Sequence, residues 1–289
     1  MTHIDIVIPC AGRAHDLLRL LGSLHACCED SLGRLVASVT LTDDRHSEAL
    51  GQQVKAEFPT VDYVRGPSRG PAANRNNGAA KGHAEWILFL DDDCYVEADL
   101  LQAYAACIQS NPHACVHEGA IHPVGERPNG NHGAPLNIEG GNLWSCNLLI
   151  KRATFEAIGR FDERFPFACL EDVDLRKRIH AHGTDVVFAR DAVVYHPWRS
   201  ISERELTRQV ISHAIYAHIH PDFTRGWTLL NVLRILSRRV PQYRSGRFSS
   251  IPLSKYRTVG FDMVLPMVVY LVLRLPFLSE RLSAKYINH

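Results

Sequence analysis

WILFLDDDCYVEADLL, residues 86–101, decides how the chain is read. The apolar residues Trp86 to Leu90 end abruptly in Asp91, Asp92 and Asp93, and a segment of helical period follows. A short apolar run with no polar alternation, closed by polar residues, reads as a strand buried on both faces, as in a parallel sheet. Consecutive carboxylates repel one another unless a cation neutralises them. Hard divalent cations such as Mg²⁺ and Mn²⁺ take oxygen ligands and keep positions free for water or substrate phosphate. On an extended chain alternate residues share a face, so Asp91 and Asp93 are expected to point together and Asp92 elsewhere. The plainer reading of the same residues is a solvated acidic turn.

Working outward, the alternation continues on both sides. Upstream, Ile4–Pro9, Leu35–Thr42 and Val61–Arg65 read as strands, with helices over Asp16–Cys27, Glu48–Phe58 and Pro71–Lys81 between them. Ala98–Gln109 is the next helix, followed by a strand over Cys115–Val124 and a Gly-, Pro- and Asn-rich surface loop at Gly125–Pro135. A strand is expected over Asn142–Ile150, a helix with an acidic first turn over Asp172–His182, and short strands at Asp185–Ala189 and Ala192–Tyr195. Beyond Pro197 the pattern is helical, most clearly over Glu203–Ile219 and Thr228–Arg239. The predicted class is α/β: a Rossmann-like, mainly parallel sheet flanked by helices, with a helical C-terminal extension. Such sheets bind ligands beyond the carboxyl ends of their strands, so Pro9 to Arg13, Asp43 to Ser47 and Asp91 to Cys94 are the segments to watch.

Length and composition agree. A chain of 289 residues suits one large domain with an appendage, and 46% hydrophobic with 22% charged residues excludes disorder. The net charge of +1 hides a split. Residues 1–199 hold 19 Lys/Arg against 26 Asp/Glu, a net of −7, and residues 200–289 hold 13 against 5, a net of +8. The predicted domains are therefore 1–199 and a basic helical region 200–289. An acidic body argues against a nucleic-acid partner, while the basic tail suits an anionic surface. None of the eight cysteines forms a CxxC pair, and MTHIDIVIPC lacks the pattern of a signal peptide, so a cytoplasmic location is expected. The uncharged run Met263–Leu273 falls short of the ~20 residues a bilayer crossing requires. It reads either as a packed helix, on this chain or on a second subunit, or as a peripheral contact at the inner membrane face, with Arg244, Arg247, Lys255 and Arg257 near headgroups.

Two further segments carry chemistry. In FDERFPFACLEDVDLRKRIHAHG, residues 161–183, Glu171, Asp172 and Asp174 open a helix behind aromatics that can desolvate them. Desolvation raises a carboxylate's pKa toward the range useful to a general base, although dipole-compensating helix acids look the same in sequence. Tyr195-His196-Pro197 places an imidazole after a short strand, and imidazole suits Mn²⁺ once carboxylates already hold the ion.

The order of these pieces resembles the inverting family-two glycosyltransferases of GT-A fold. The resemblance covers roughly residues 3–199 and rests on IVIPCAGR, LTDD, GPAANRNNGAAKG, FLDDD, GNLWSCNLLIKRATFEAIGRFDERF and LEDVDL with RKRIHAHG. It implies a nucleotide-sugar donor, a UDP-sugar first among them, and a Mn²⁺ or Mg²⁺ cofactor. The acceptor would be a saccharide or a lipid-linked one, as in polysaccharide or glycolipid assembly. It further implies that Pro9 ends the first strand against the nucleotide, that Asp44 or Asp43 bonds the base, and that Arg75 and Asn76 lie close to the donor. Asp93 would bind the metal with Asp91 assisting and His196 completing its shell, Asp92 would reach the ribose, and Asp172 would be the catalytic base. Apart from the resemblance, acceptor specificity is expected at Glu171, around Trp144, in Gly125–Pro135 and in the C-terminal helices.

The chain departs from the family at Cys10-Ala11-Gly12 and at Arg45-His46, where the base and ribose would sit. Three other classes fit the sequence less well. Haloacid-dehalogenase-type phosphatases place Thr or Val where this chain has Tyr95; a nucleotidyltransferase would carry a Gly-rich loop with Lys where CAGRAHD stands; and a non-catalytic nucleotide binder would not be expected to fill every charged position.

Overall fold

In chain order the elements begin with β1 (Thr2–Cys10), α1 (Ala14–Asp30), β2 (Leu35–Asp43), α2 (Glu48–Glu57), β3 (Val61–Arg65), α3 (Pro71–Ala79) and β4 (Trp86–Leu90). They continue with β5 (Tyr95–Val96), α4 (Leu100–Ser110), β6 (Val116–Pro123), β7 (His132–Gly133), β8 (Asn147–Lys151), α5 (Arg152–Ala157), α6 (Glu171–Ala181) and β9 (Val186–His196). The last are β10 (Arg199–Ser200), α7 (Glu203–Ile219), α8 (Phe223–Gly226), α9 (Leu229–Arg244), α10 (Tyr256–Arg274) and α11 (Pro276–Ile287). The computed structural model describes residues 2–30, 35–129, 131–244 and 256–287. Two units emerge: Met1–Val124 with Pro135–Pro166 and Glu171–Pro197, and Gly125–Ala134 with Phe167–Leu170 and Trp198–His289.

The first unit is built on an eight-stranded sheet in the order β3-β2-β1-β4-β8-β6-β9-β5. The β3 to β4 half is entirely parallel. In the other half β8 runs antiparallel to β4 and β6, while β6 and β9 are parallel. Ile4, Ile6, Val7 and Ile8 of β1 are fully covered, which explains the unbroken apolar run. On one face α1 presents Leu17, Leu20, Leu21 and Leu24 at helical spacing. On the other, α3 sits close because the residues it turns to Val7 are small, Ala72, Gly78 and Ala79: a Cβ on Gly78 would lie 2.5 Å from Val7 Cγ1. Pro9 is tolerated in this central strand because the β1 pairing with β4 ends at Val7, leaving no ladder partner for the missing N–H.

Three expectations change. Asp185–Ala189 and Ala192–Tyr195 form one strand, β9, whose pairing with β6 shifts register between Gly119 and Ala120, so a bulge had the appearance of a break. The strand expected over Asn142–Ile150 begins only at Asn147. Gly125–Pro135 is more than a surface loop, because it buries Asn129 and Asn131 and contributes β7, paired with β10.

In the second unit, α7 starts with a capping box between Ser202 and Glu205 and packs Leu206, Val210, Ala214 and Ala217 against Leu265, Val269, Val272 and Leu273 of α10. Met263–Leu273 is thus a packing helix along one side, with Val264 and Leu271 exposed on the other. Among the described residues no single helix is long and apolar enough to cross a membrane, and α10 and α11 meet at a bend of 94°. Arg247 and Lys255 lie outside the described residues, as do the side chains of Arg244 and Arg257.

Candidate active site

The chain leaves β4 in a turn at Asp92 and Asp93, so the alternation expected of an extended strand does not apply. Asp92 and Asp93 share one guanidinium: Arg13 Nη2 lies 2.5 Å from Asp92 Oδ1, and Nη1 lies 2.9 Å from Asp93 Oδ2. Asp91 turns the other way and pairs with Arg75 Nη2 at 2.8 Å. Asp92 is fully buried and also accepts from Ala11 N, so its carboxylate belongs to the β1 loop, where Gly12 stands at φ +95. Burial pushes its pKa up, against the pull of Arg13.

His196, at the end of β9, faces Asp93 Oδ1 through Nε2 at 3.2 Å. Its Nδ1 lies 2.8 Å from the Pro197 carbonyl, which can only accept, so Nδ1 carries a proton and Nε2 is the atom turned to the site. Burial pulls the pKa of His196 down, but the Asp93 carboxylate outweighs it and the net direction is up. Ligand atoms of Asp93, Cys94 and His196 lie within 4.8 Å of one another. Burial raises the Cys94 thiol well above its usual range, and a soft sulfur is not the donor that a hard cation selects. One carboxylate oxygen and one imidazole nitrogen fit a hard or borderline divalent cation whose other positions are left to phosphate and water. Asp93 and His196 are the residues that would hold a divalent cation there, with Asp91 set apart on Arg75.

Arg75 ties this strand end to α6. Only 3% exposed, it reaches Asp91 on one side and Glu171 Oε1 at 3.1 Å on the other, and its guanidinium lies over the Phe161 ring. Burial raises the pKa of both Glu171 and Asp172, with Asp172 adding to the rise of Glu171 and Arg75 opposing both. Asp172 Oδ1 is covered and has no hydrogen-bond partner among the described residues, whereas Glu171 is engaged by Arg75. Ser145 favours the charged form of Asp172. Leu170, at φ +71, turns the chain sharply into α6. Asp174 faces away, paired with Arg178.

Other expected residues serve the scaffold. Asp43 is completely buried, accepting from the backbone N–H groups of Arg45 and Ser47 and from Tyr63 Oη, so it braces the turn after β2. Asp44 is half-buried, accepts from Ser68 N and Gly70 N, and keeps further lone pairs. Asn76 accepts from Phe161 N and donates to Phe161 O and Glu163 Oε1, and so clamps the 161–163 loop. Pro9 is buried beside Thr42. Trp144 packs on the core, and its indole N–H has no partner among the described residues.

Glu118 was not singled out by its sequence. Buried inside β6, it accepts from the consecutive N–H groups of Gly141, Asn142 and Leu143 and from Asn137 Nδ2, holding the loop that presents Trp144 and Ser145. Leu143 sits at φ +51, so the carboxylate offsets local strain. Glu118→Ala is expected to lower unfolding stability by about 2–4 kcal/mol, because it orphans buried donors. Urea unfolding measures this, with Glu118→Gln losing less; a change under about 0.5 kcal/mol would be an ordinary surface effect and would remove the bracing role.

The chain belongs to glycosyl transferase family 2, whose pattern matches residues 5–162. It is similar to the validoxylamine A glucosyltransferase of Streptomyces hygroscopicus subsp. jinggangensis, 26% identical over 231 residues, covering 65% of this chain and 54% of that one. The chain spans about half or less of the length of the curated glycosyltransferases it matches. In fold it is similar to S. aureus TarS 1-349 in complex with UDP-GlcNAc, at TM-score 0.59, 15% identity and coverage of 99% and 89% of the two chains. The mannosyltransferase PcManGT from Pyrobaculum calidifontis, in complex with GDP-Man and Mn²⁺, aligns at TM-score 0.56 and 13% identity, covering 94% and 87%. The architecture is the GT-A fold.

Proposed function

We propose that this chain transfers a sugar from a nucleotide-diphosphate donor to an acceptor hydroxyl with inversion at the anomeric carbon. The observation that carries the proposal is the meeting, at the strand ends of a family-2 domain, of the Asp93–His196 pair with the Arg75-bridged Glu171 and Asp172. When bound, Mn²⁺ or Mg²⁺ neutralises charge developing on the departing nucleoside diphosphate. Asp172 Oδ1 is the acceptor available for the proton of the attacking hydroxyl, and its raised pKa suits that task. Arg75 holds Glu171 aside and fixes the start of α6 relative to Asp91. A single displacement needs no carboxylate nucleophile. The indole N–H of Trp144, buried and without a partner among the described residues, is the group we assign to the acceptor side. UDP-sugars are the first donors to test and GDP-sugars the second, since similar folds bind one or the other. Incubation with a nucleotide-sugar panel and Mn²⁺ is expected to release nucleoside diphosphate slowly from one donor; a panel with neither release nor Mn²⁺-dependent binding would overturn the reading.

The acceptor we assign is lipid-linked, presented at the cytoplasmic membrane face during polysaccharide or glycolipid assembly. Supporting this, α9 exposes Leu229, Leu230 and Leu233 at 49, 67 and 51%, with Arg234 beside them, in the region that carries net +8. An exposed apolar stripe edged by basic residues suits an anionic bilayer, each basic group adding about 1 kcal/mol. Flotation of the full chain with phosphatidylserine vesicles is expected at low salt, and to be lost in Leu230→Asp/Leu233→Asp. Equal flotation of wild type and variant, or none by wild type, returns this face to protein contacts.

A further inference from the structure

The two arginines at the strand ends are held very differently. Arg75 is 3% exposed and pinned between Asp91 and Glu171. Arg13 is 46% exposed, yet grips two carboxylates that are themselves 1% and 3% exposed. It stands on the short loop between β1 and α1, directly after Gly12 in the left-handed region, and only its carbonyl is used by the helix, accepting from Leu17 N. The side chain is therefore free to change partners without disturbing an element.

Two adjacent buried carboxylates need positive charge, and Arg13 supplies it to both through the two arms of its fork. A divalent cation on Asp93 and His196 supplies the same charge more strongly. Arg13 Nη1 is already 2.9 Å from Asp93 Oδ2, so a cation there and the guanidinium compete for one carboxylate and repel each other. Once displaced, an exposed guanidinium beside the strand ends meets the ligand that accompanies the metal.

We propose that Arg13 is an exchangeable counter-cation. It balances Asp92 and Asp93 in the metal-free protein and turns to the donor's diphosphate when a divalent cation takes Asp93. This rests on the nucleotide-sugar reading for its second half only. Coupling of this kind makes metal and nucleotide bind together and discourages either alone.

Removing the charge therefore has opposite effects on the two ligands. Arg13→Gln is expected to bind Mn²⁺ alone about tenfold more tightly than wild type, read by the free-ion electron paramagnetic resonance signal. The same variant is expected to bind UDP or GDP at saturating Mn²⁺ about tenfold more weakly, read by titration calorimetry; one charge-assisted hydrogen bond accounts for that size. Arg13→Lys, which keeps the charge but loses the fork, is expected to fall between on both readouts. A merely structural role would weaken both ligands together. Unchanged or weaker Mn²⁺ affinity in Arg13→Gln would overturn the proposal, as would unchanged nucleotide affinity. Wild type that binds Mn²⁺ but neither nucleotide would overturn the diphosphate half together with the transferase reading, while the Mn²⁺ comparison still decides the first half.

Discussion

Asp172→Asn is expected to lower sugar transfer by about 10²–10⁴-fold, the usual weight of a general base, while donor affinity stays within a few-fold of wild type. The amide keeps the shape of the side chain at the start of α6 but cannot take a proton from the acceptor hydroxyl. The expectation is specific to Asp172 because its neighbour is committed elsewhere: Glu171 bonds Arg75, whereas Asp172 Oδ1 is covered and unbonded among the described residues. Glu171→Gln is expected to cost less transfer and more thermal stability, since it leaves Arg75 with one carboxylate fewer. Steady-state kinetics with the donor from the panel, together with donor titration, separates the two variants. Near-normal transfer by Asp172→Asn would assign the base elsewhere, with Glu171 next in line.

Asp93→Ala is expected to abolish metal-dependent donor binding. Loss of an outer-shell partner of a metal site costs about 10–100-fold in affinity, and removing a ligand oxygen costs at least that. The substitution also leaves Arg13 with Asp92 alone and His196 without its facing carboxylate. His196→Gln should act in the same direction with a smaller effect, because the carboxylate brings charge as well as a donor atom. Manganese titration checks both variants without any assay of transfer, and wild-type Mn²⁺ affinity in Asp93→Ala would show that the ion, if bound, sits elsewhere.

The parallel half of the sheet was legible because β1 and β4, covered on both faces, leave near-continuous apolar runs, and the half-exposed edge strand β3 still sets Val61, Tyr63 and Val64 between turn residues. The region from β6 to β9 was less so. There the sheet becomes mixed and Arg190 and Asp191 interrupt β9, while β5, earlier in the chain, is only two residues long and carries no strand signal of its own. At the site, the strand-end rule and the acidic motifs pointed to the right segments. They could not say which carboxylate turns inward, because that depends on partners far along the chain. Arg75 meets Glu171 across 96 residues and Arg13 meets Asp93 across 80. Asp43 and Asn76, read as donor contacts, also brace the scaffold, Asp43 through Arg45 N, Ser47 N and Tyr63 Oη and Asn76 through the 161–163 loop, a role invisible in their identity alone. Glu118 was overlooked for the same reason: an acid in a strand signals nothing until the loop wraps it.

The most direct measurement is calorimetric titration of the nucleotide sugar found by the panel into the full chain, first with Mn²⁺ and then with excess chelator. Binding with Mn²⁺ that disappears on chelation, and is missing in Asp93→Ala, is the predicted result. Equal affinity with and without the chelator would contradict a metal-dependent donor site at Asp93 and His196.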